Sequence, residues 1–225
     1  MTKTFRPLAN LRRVYCAGPL FNEAERREML AIAHALRQGG FETFLPHADG
    51  FEFSNVLPYL VEQGHAPAFA AHCLHAAIFA MDTYQVLLGC GSLVFNMNGR
   101  APDEGGVAEM SMAWTWGKPL VIYKEDVRSA LAGRDNPLVV GQADFQTVRS
   151  LNQLAGALSE RIASLEIDAD FEVVCPPALG RVLSRGELLW SRLQSLGEAR
   201  PAAIIGDWVL EMFQAPSASR LSKRA

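Results

Sequence analysis

The residues best able to do chemistry stand together in 101-APDEGGVAEMSMAWTWGKPLVIYKED-126. Asp103, Glu104 and Glu109 surround Gly105-Gly106 and lead into an apolar run. A carboxylate can attack a carbon that bears a good leaving group and form a covalent intermediate. It can also pass a proton to the leaving group or take one from the incoming nucleophile. Glycosyl transfer with retention needs both roles, one on each side of the anomeric carbon. Glu109 is expected within about the first turn of a helix, where nearby N–H groups would hold it anionic and fixed. Gly105 lets a ligand approach the backbone closely. Asp103 lies earlier in the loop, where it can face the same ligand from another side. A plainer reading stands beside this one: Asp103 and Glu104 cap the helix and Glu109 is solvated.

The elements that must position these acids follow from the apolar pattern. Val14-Tyr15-Cys16-Ala17 is a short apolar run stopped by Gly18-Pro19, which predicts a buried strand ending in a tight loop. Asn22 is placed to cap a helix that Gly39-Gly40 ends, with Leu30, Ala33 and Leu36 as its apolar stripe. Phe41 to Leu45 reads as a second strand, closed by Pro46. Residues 47–65 read as a loop punctuated by Gly50, Pro58 and Gly64, and residues 67–88 as a helix. Ser92 to Met97 is the third strand, Val107 to Trp116 a helix, and Leu120-Val121-Ile122-Tyr123 the fourth strand. Leu138-Val139-Val140 or Asp144-Phe145 offers a short fifth, and residues 150–163 an amphipathic helix. Short apolar strands alternating with helices predict an α/β fold: a flavodoxin-like, doubly wound parallel sheet of about five strands. Ligands of such sheets sit outside the carboxyl ends of the strands. Gly18 and Pro19 with Phe21, then Asp49, then the acid cluster all follow predicted strand ends, which makes each a candidate for substrate binding. The character changes after about Leu165. Residues 1–165 are therefore expected to form the catalytic domain, and 166–225 a helical C-terminal extension. Asp168-Ala169-Asp170 and Cys175-Pro176-Pro177 read as a linker, and the last residues, APSASRLSKRA, as a disordered basic tail.

Bulk properties narrow the partners. The chain has 225 residues, of which 49% are hydrophobic and 20% charged, enough for a sizeable core. Its net charge of −3 leaves no basic footprint for nucleic acid. Four scattered cysteines without CxxC spacing are expected to be reduced thiols of a cytoplasmic protein. No signal-peptide core and no run of about 18 apolar residues suggests a membrane segment. His72 and His75 stand three apart on a predicted helix, but no third ligand has suitable spacing, so no metal is expected. Phe51, Phe53 and Tyr59 are either a lid that stacks on a base or core residues. Arg26 and Arg27 belong to a solvated helix face rather than a phosphate site.

Taken in order, YCAGPLFNEAERREM, FLPHADG and GRAPDEGGVAEMSMAWTWGKPLVIYKEDVR resemble the nucleoside 2-deoxyribosyltransferase family. The usual forms there are Y-x-A-G-P, F-x-P, D-x-G-T-x-x-E and A-x-x-x-G-K-P. The resemblance spans roughly Arg13 to Gly141. It implies that Glu109 is the nucleophile at the anomeric carbon, Asp103 the acid facing the nucleobase, and Tyr15 the residue whose hydroxyl orients the nucleophile. It further implies a sugar-facing role for Asp82 and a contact from Asn136 to the sugar of a neighbouring subunit. The substrates implied are a nucleoside and a free nucleobase. The enzyme would use no cofactor and would be a homo-oligomer with shared active sites. The apolar first loop favours a nucleoside over a nucleotide. Gly106 replaces a threonine of the family pattern, Cys90 or Gly91 an aspartate, and Ser111 a glycine. The first two departures keep a non-catalytic nucleotide-ligand sensor open as an alternative, and an N-glycoside hydrolase, with water in place of the second base, is the alternative on the same scaffold.

Overall fold

A computed structural model of the chain describes residues 3–5, 8–99, 101–126, 135–165 and 172–214. Arg134, Asp168-Ala169-Asp170 and the expected tail, residues 215–225, lie outside them. Among the described residues no helix is long and apolar enough to cross a membrane.

Four parallel strands build the central sheet: β2 (Arg13–Ala17), β3 (Glu42–Phe44), β4 (Ser92–Asn96) and β5 (Leu120–Tyr123). Their spatial order is β3-β2-β4-β5, the doubly wound order expected of the sequence. Tyr15 pairs with Phe44 on one side and Leu93 on the other, and Phe95 pairs with Ile122. Because side chains alternate, Tyr15, Ala17, Leu93, Phe95, Leu120 and Ile122 share one buried cluster. Val14, Cys16, Val94, Val121 and Tyr123 belong to the cluster on the other face. There the sheet meets α1 (Glu23–Gln38) and α7 (Leu151–Ala163). Asn22 caps α1 as expected. It accepts from the N–H groups of Ala24 and Glu25 at 3.0 Å while the Glu25 carboxylate reaches back to the cap.

The expected loop over residues 47–65 is instead largely helical. It contains α2 (Pro46–Asp49) and α3 (Phe53–Glu62), with Pro58 inside α3. Phe51 is buried, Phe53 stacks on His75 at 5.0 Å, and the Tyr59 ring backs against Gly206, so these aromatics pack rather than form a lid. The helix α4 (Pro67–Tyr84) continues into a π-helical turn, Gln85–Gly89, just before β4. The expected fifth strand is not at either proposed place. Leu138-Val139-Val140 belong to the short helix α6 (Pro137–Val140), and Asp144 and Phe145 have φ of 53° and 60°, outside the strand region. A single parallel bridge from Tyr123 to Val148 marks the fifth position instead.

Two elements join the ends of the chain. β1 (Lys3–Phe5) pairs antiparallel with β6 (Val173–Cys175). Cys175 therefore ends a strand rather than opening a linker. Beyond it run α8 (Pro177–Ser195) and α9 (Ala202–Phe213). Their apolar stripes, with Leu189, Leu193, Ile205, Val209 and Phe213, close a second core against α3 and α4.

The contact of α8 with α4 depends on one missing methyl group. A Cβ at Gly186 would lie 2.1 Å from the carbonyl oxygen of Ala80, which is helix backbone and cannot turn aside. Gly186→Ala is expected to cost about 1–3 kcal/mol through overpacking. At Gly180, also in α8, the nearest atom to a new Cβ is Cys175 Sγ at 3.9 Å. Gly180→Ala is therefore expected to stabilise by about 0.5–1 kcal/mol through helix propensity. Urea denaturation of the two variants checks the pair, and equal effects would refute the close contact.

Candidate active site

α5 (Glu104–Thr115) begins three residues earlier than its sequence predicts, and this changes who holds which acid. Asp103 is the N-cap, and its Oδ2 accepts the Gly106 N–H at 2.6 Å. Glu104 is the exposed first helical residue and makes no cap. Glu109 consequently sits in the second turn, past the free N–H groups of the helix start. It is held instead by Tyr15, whose hydroxyl donates to Glu109 Oε1 at 2.6 Å.

Tyr15 reaches that carboxylate because it projects from the buried middle of β2 toward the face on which α5 packs. Burial, then the charges of Asp82 and Glu109, push its hydroxyl far above the ordinary tyrosine range. It therefore stays protonated and donates. Glu109 is pulled both ways. Burial and then the charge of Asp82 raise its carboxyl well above the usual range, the Tyr15 hydrogen bond opposes them, and Asp103 adds to the rise. Asp82, in the last turn of α4 before the π-helical turn, is raised by burial to about 7. Its Oδ1 is buried without a hydrogen-bond partner. A polar atom left in that state costs stability, and functional sites are where such costs are kept. Three acids and one tyrosine thus converge, with at least one carboxyl able to hold a proton near neutral pH.

The other sequence candidates divide. Gly105 lies in the first turn of α5 beside Asp103 Oδ2, within the cluster. Gly18 and Pro19 turn the chain at the end of β2, and Phe21 beyond them is 79% exposed. Pro19 lines a crevice of about 420 Å³ with Glu25, Glu28, Asn98, Gly99, Glu125 and Asp126, outside the carboxyl ends of β4 and β5. Among the described residues this lining carries carboxylates and no lysine or arginine. Asp49 spends its Oδ2 on the Leu45 N–H at 2.7 Å, which steadies the start of α2. Asn136 is the exposed N-cap of α6 and accepts the Leu138 N–H at 3.0 Å.

The three departures from the family pattern acquire physical causes. A Cβ at Gly106 would lie 2.5 Å from the Phe95 ring, so Phe95 occupies the space a threonine needs. Gly91 backs onto the carbonyl of Asn10, which a Cβ would approach to 2.1 Å. The carbonyl of Cys90 accepts from the buried Lys118 ammonium, whose pKa burial lowers to about 8. Ser111 Oγ accepts from Gln142 Nε2 at 3.0 Å and so ties α5 to the segment that follows Asn136.

Sequence reasoning missed the frame behind Tyr15. The Phe44 ring stacks on Tyr15 at 5.5 Å, and Trp190 of α8 meets Phe44 edge-on at 5.5 Å. The Arg13 guanidinium lies 5.1 Å from the Trp190 ring and 5.7 Å from the Phe44 ring. It donates to Gln85 Oε1 at 2.9 Å and to the Gly89 carbonyl at 2.7 Å. No local sequence signal marks these contacts, since they join residues up to 177 positions apart (Arg13 to Trp190).

Comparison with known proteins agrees with the motif order. The sequence model described as nucleoside 2-deoxyribosyltransferase matches residues 14–173. No curated protein matches the chain. A solved structure, a conserved protein from Enterococcus faecalis V583, is 22% identical with a TM-score of 0.47, over 66% of this chain and 98% of that one.

Proposed function

The chain belongs to the nucleoside 2-deoxyribosyltransferase family, and on that premise we propose that it moves a 2-deoxyribosyl group between nucleobases through an ester on Glu109. The observation that carries this reading is the 2.6 Å hydrogen bond from Tyr15 to Glu109, within reach of the Asp82 charge, whose Oδ1 is buried without a hydrogen-bond partner. Tyr15 orients one oxygen of Glu109, so the other is free to attack.

In the first step the Glu109 carboxylate bonds to C1′ as the C1′–N bond breaks, and its electron pair leaves with the base. Asp103 supplies the proton that the departing base needs. In the second step a nitrogen of a new base attacks C1′ and displaces Glu109, and the proton of that nitrogen returns to Asp103. Two inversions give net retention. Asp82 faces the sugar. The apolar, proline-stiffened first loop, Gly18-Pro19-Leu20-Phe21, supports a nucleoside rather than a nucleotide as substrate. The exposed Asn136 is free to reach the sugar in the site of a second copy of the chain.

Incubation with a deoxynucleoside and a second free base is expected to yield the swapped nucleoside. Chromatography reads the outcome directly. Free deoxyribose appearing at the rate of base release would replace this reading with hydrolysis. Binding without any turnover would replace it with a ligand sensor.

A further inference from the structure

The residues matched by the family end at 173, and α8 begins at Pro177. Yet α8 reaches the proposed site by two routes. Trp190 presses edge-on against Phe44, whose other neighbour in the stack is Tyr15. Trp190 also lies against the Arg13 guanidinium, which grips the π-helical turn at Gln85 and Gly89. That turn directly follows the end of α4, where Asp82 sits. Gly186, four residues before Trp190, seats α8 on the backbone of the same α4 at Ala80. The two groups that shape Glu109, the Tyr15 hydroxyl and the Asp82 carboxyl, are thus backed by one side chain from outside the family's matched region.

We propose that Trp190 is a positioning residue for the reaction: through Phe44 it fixes the Tyr15 ring, and through Arg13 it fixes the turn beside Asp82. The proposal rests on the functional reading above for its kinetic consequence, but not for its structural one. Close packing makes the chain of contacts stiff, since a void on one side of Phe44 lets that ring, and then Tyr15, relax toward it. The hydroxyl of Tyr15 would then miss Glu109 in part of the population. Small errors of that kind at a reacting group cost rate rather than binding.

The test compares Trp190→Leu, Trp190→Phe and Trp208→Leu in the full chain. Trp208 of α9 has the Arg192 guanidinium of α8 5.7 Å from its ring, and it belongs to the second core and not to the Tyr15 stack. Trp190→Leu is expected to lower kcat about 3- to 10-fold, less than removal of the Tyr15 hydroxyl itself, with little change in KM. Trp190→Phe should restore most of the loss. Trp208→Leu, even at a similar loss of Tm, should leave kcat within about twofold. Equal kcat losses for Trp190→Leu and Trp208→Leu would overturn the proposal, as would an unchanged kcat in Trp190→Leu.

A second measurement holds even if no nucleoside turns over. In protein carrying labelled tyrosine rings, with Tyr15 assigned through Tyr15→Phe, the two edges of the Tyr15 ring should give separate NMR signals in the native chain. They should merge in Trp190→Leu as the ring begins to flip. Unchanged ring signals in Trp190→Leu would overturn the positioning role. Absent turnover in the native chain, with merged signals in the variant, would overturn the functional reading and leave the positioning role standing.

Discussion

Glu109→Gln is expected to abolish base exchange, by about a thousand-fold or more, while leaving the fold intact. Glutamine keeps the shape of the side chain and still accepts the Tyr15 hydrogen bond that now measures 2.6 Å. It loses only the negative oxygen that would bond to C1′. Glu109 is raised well above the ordinary range by burial and by the charge of Asp82, so its ionised form is costly in the empty site. Removing that charge relieves the cost, and the variant should melt no lower than the native chain at pH 8. Tyr15→Phe separates the two contributions. It keeps the stack on Phe44 but removes the donor, and it should lower turnover by about 10- to 100-fold rather than abolish it. Unchanged turnover in Glu109→Gln would remove Glu109 as the nucleophile. A misfolded variant would be recognised by a loss of Tm before any rate is interpreted.

How much of this was legible in the sequence follows from the range of the forces involved. The β2-α1-β3 unit is written locally: an apolar run, a cap at Asn22, and a stop at Gly39-Gly40. The acids at the start of α5 were legible for the same reason, as was the order of motifs. The start of α5 itself was misplaced because Gly105 and Gly106 argue against helix by propensity. The Asp103 cap and the Phe95 ring seated on Gly106 outweigh that preference. Pro58 likewise suggested a loop, but its neighbours Val56 and Leu60 are buried against α4 and α9, and α3 forms around it. The pairing of β1 with β6 joins ends more than 165 residues apart, Lys3 with Cys175, and nothing local announces it. Phe145 shows how a short apolar segment misleads. It is 69% exposed and sits in the left-handed region, where it turns the chain instead of extending it.

The departures from the family pattern teach a related point about reading single positions. Gly106 looked like a lost hydroxyl, but the missing side chain is matched by a ring that fills its place. The substitution is therefore a packing exchange between β4 and α5, and the cap that Asp103 makes on the Gly106 N–H survives it. Ser111 similarly replaces a glycine with a hydrogen bond to Gln142. The Phe95 ring packs against the first turn of the helix that carries Glu109, and Ser111 ties its middle to Gln142.

Asp82→Asn is expected to stabilise the protein at pH 8 by about 2–4 kcal/mol while slowing turnover, because Asp82 is raised from 3.8 to about 7 by burial. Between those two values the folded chain holds a proton on Asp82 that the unfolded chain has released. Stability therefore falls as pH rises from about 4 to about 7, and the loss is complete above 7. Asparagine carries no charge to bury, so the advantage of the variant should be largest at pH 8 and vanish near pH 4. Urea denaturation across that range measures it, and a difference that does not change with pH would show that the Asp82 charge is not the cause. The kinetic consequence has the opposite sign. The charge of Asp82 raises Glu109, so its removal lets Glu109 ionise at lower pH. The acid limb of the remaining activity should move to lower pH in Asp82→Asn, even as the rate drops through loss of the group proposed to face the sugar. A carboxylate oxygen buried without a hydrogen-bond partner, as Asp82 Oδ1 is, costs stability, and such costs are what a site residue predicts.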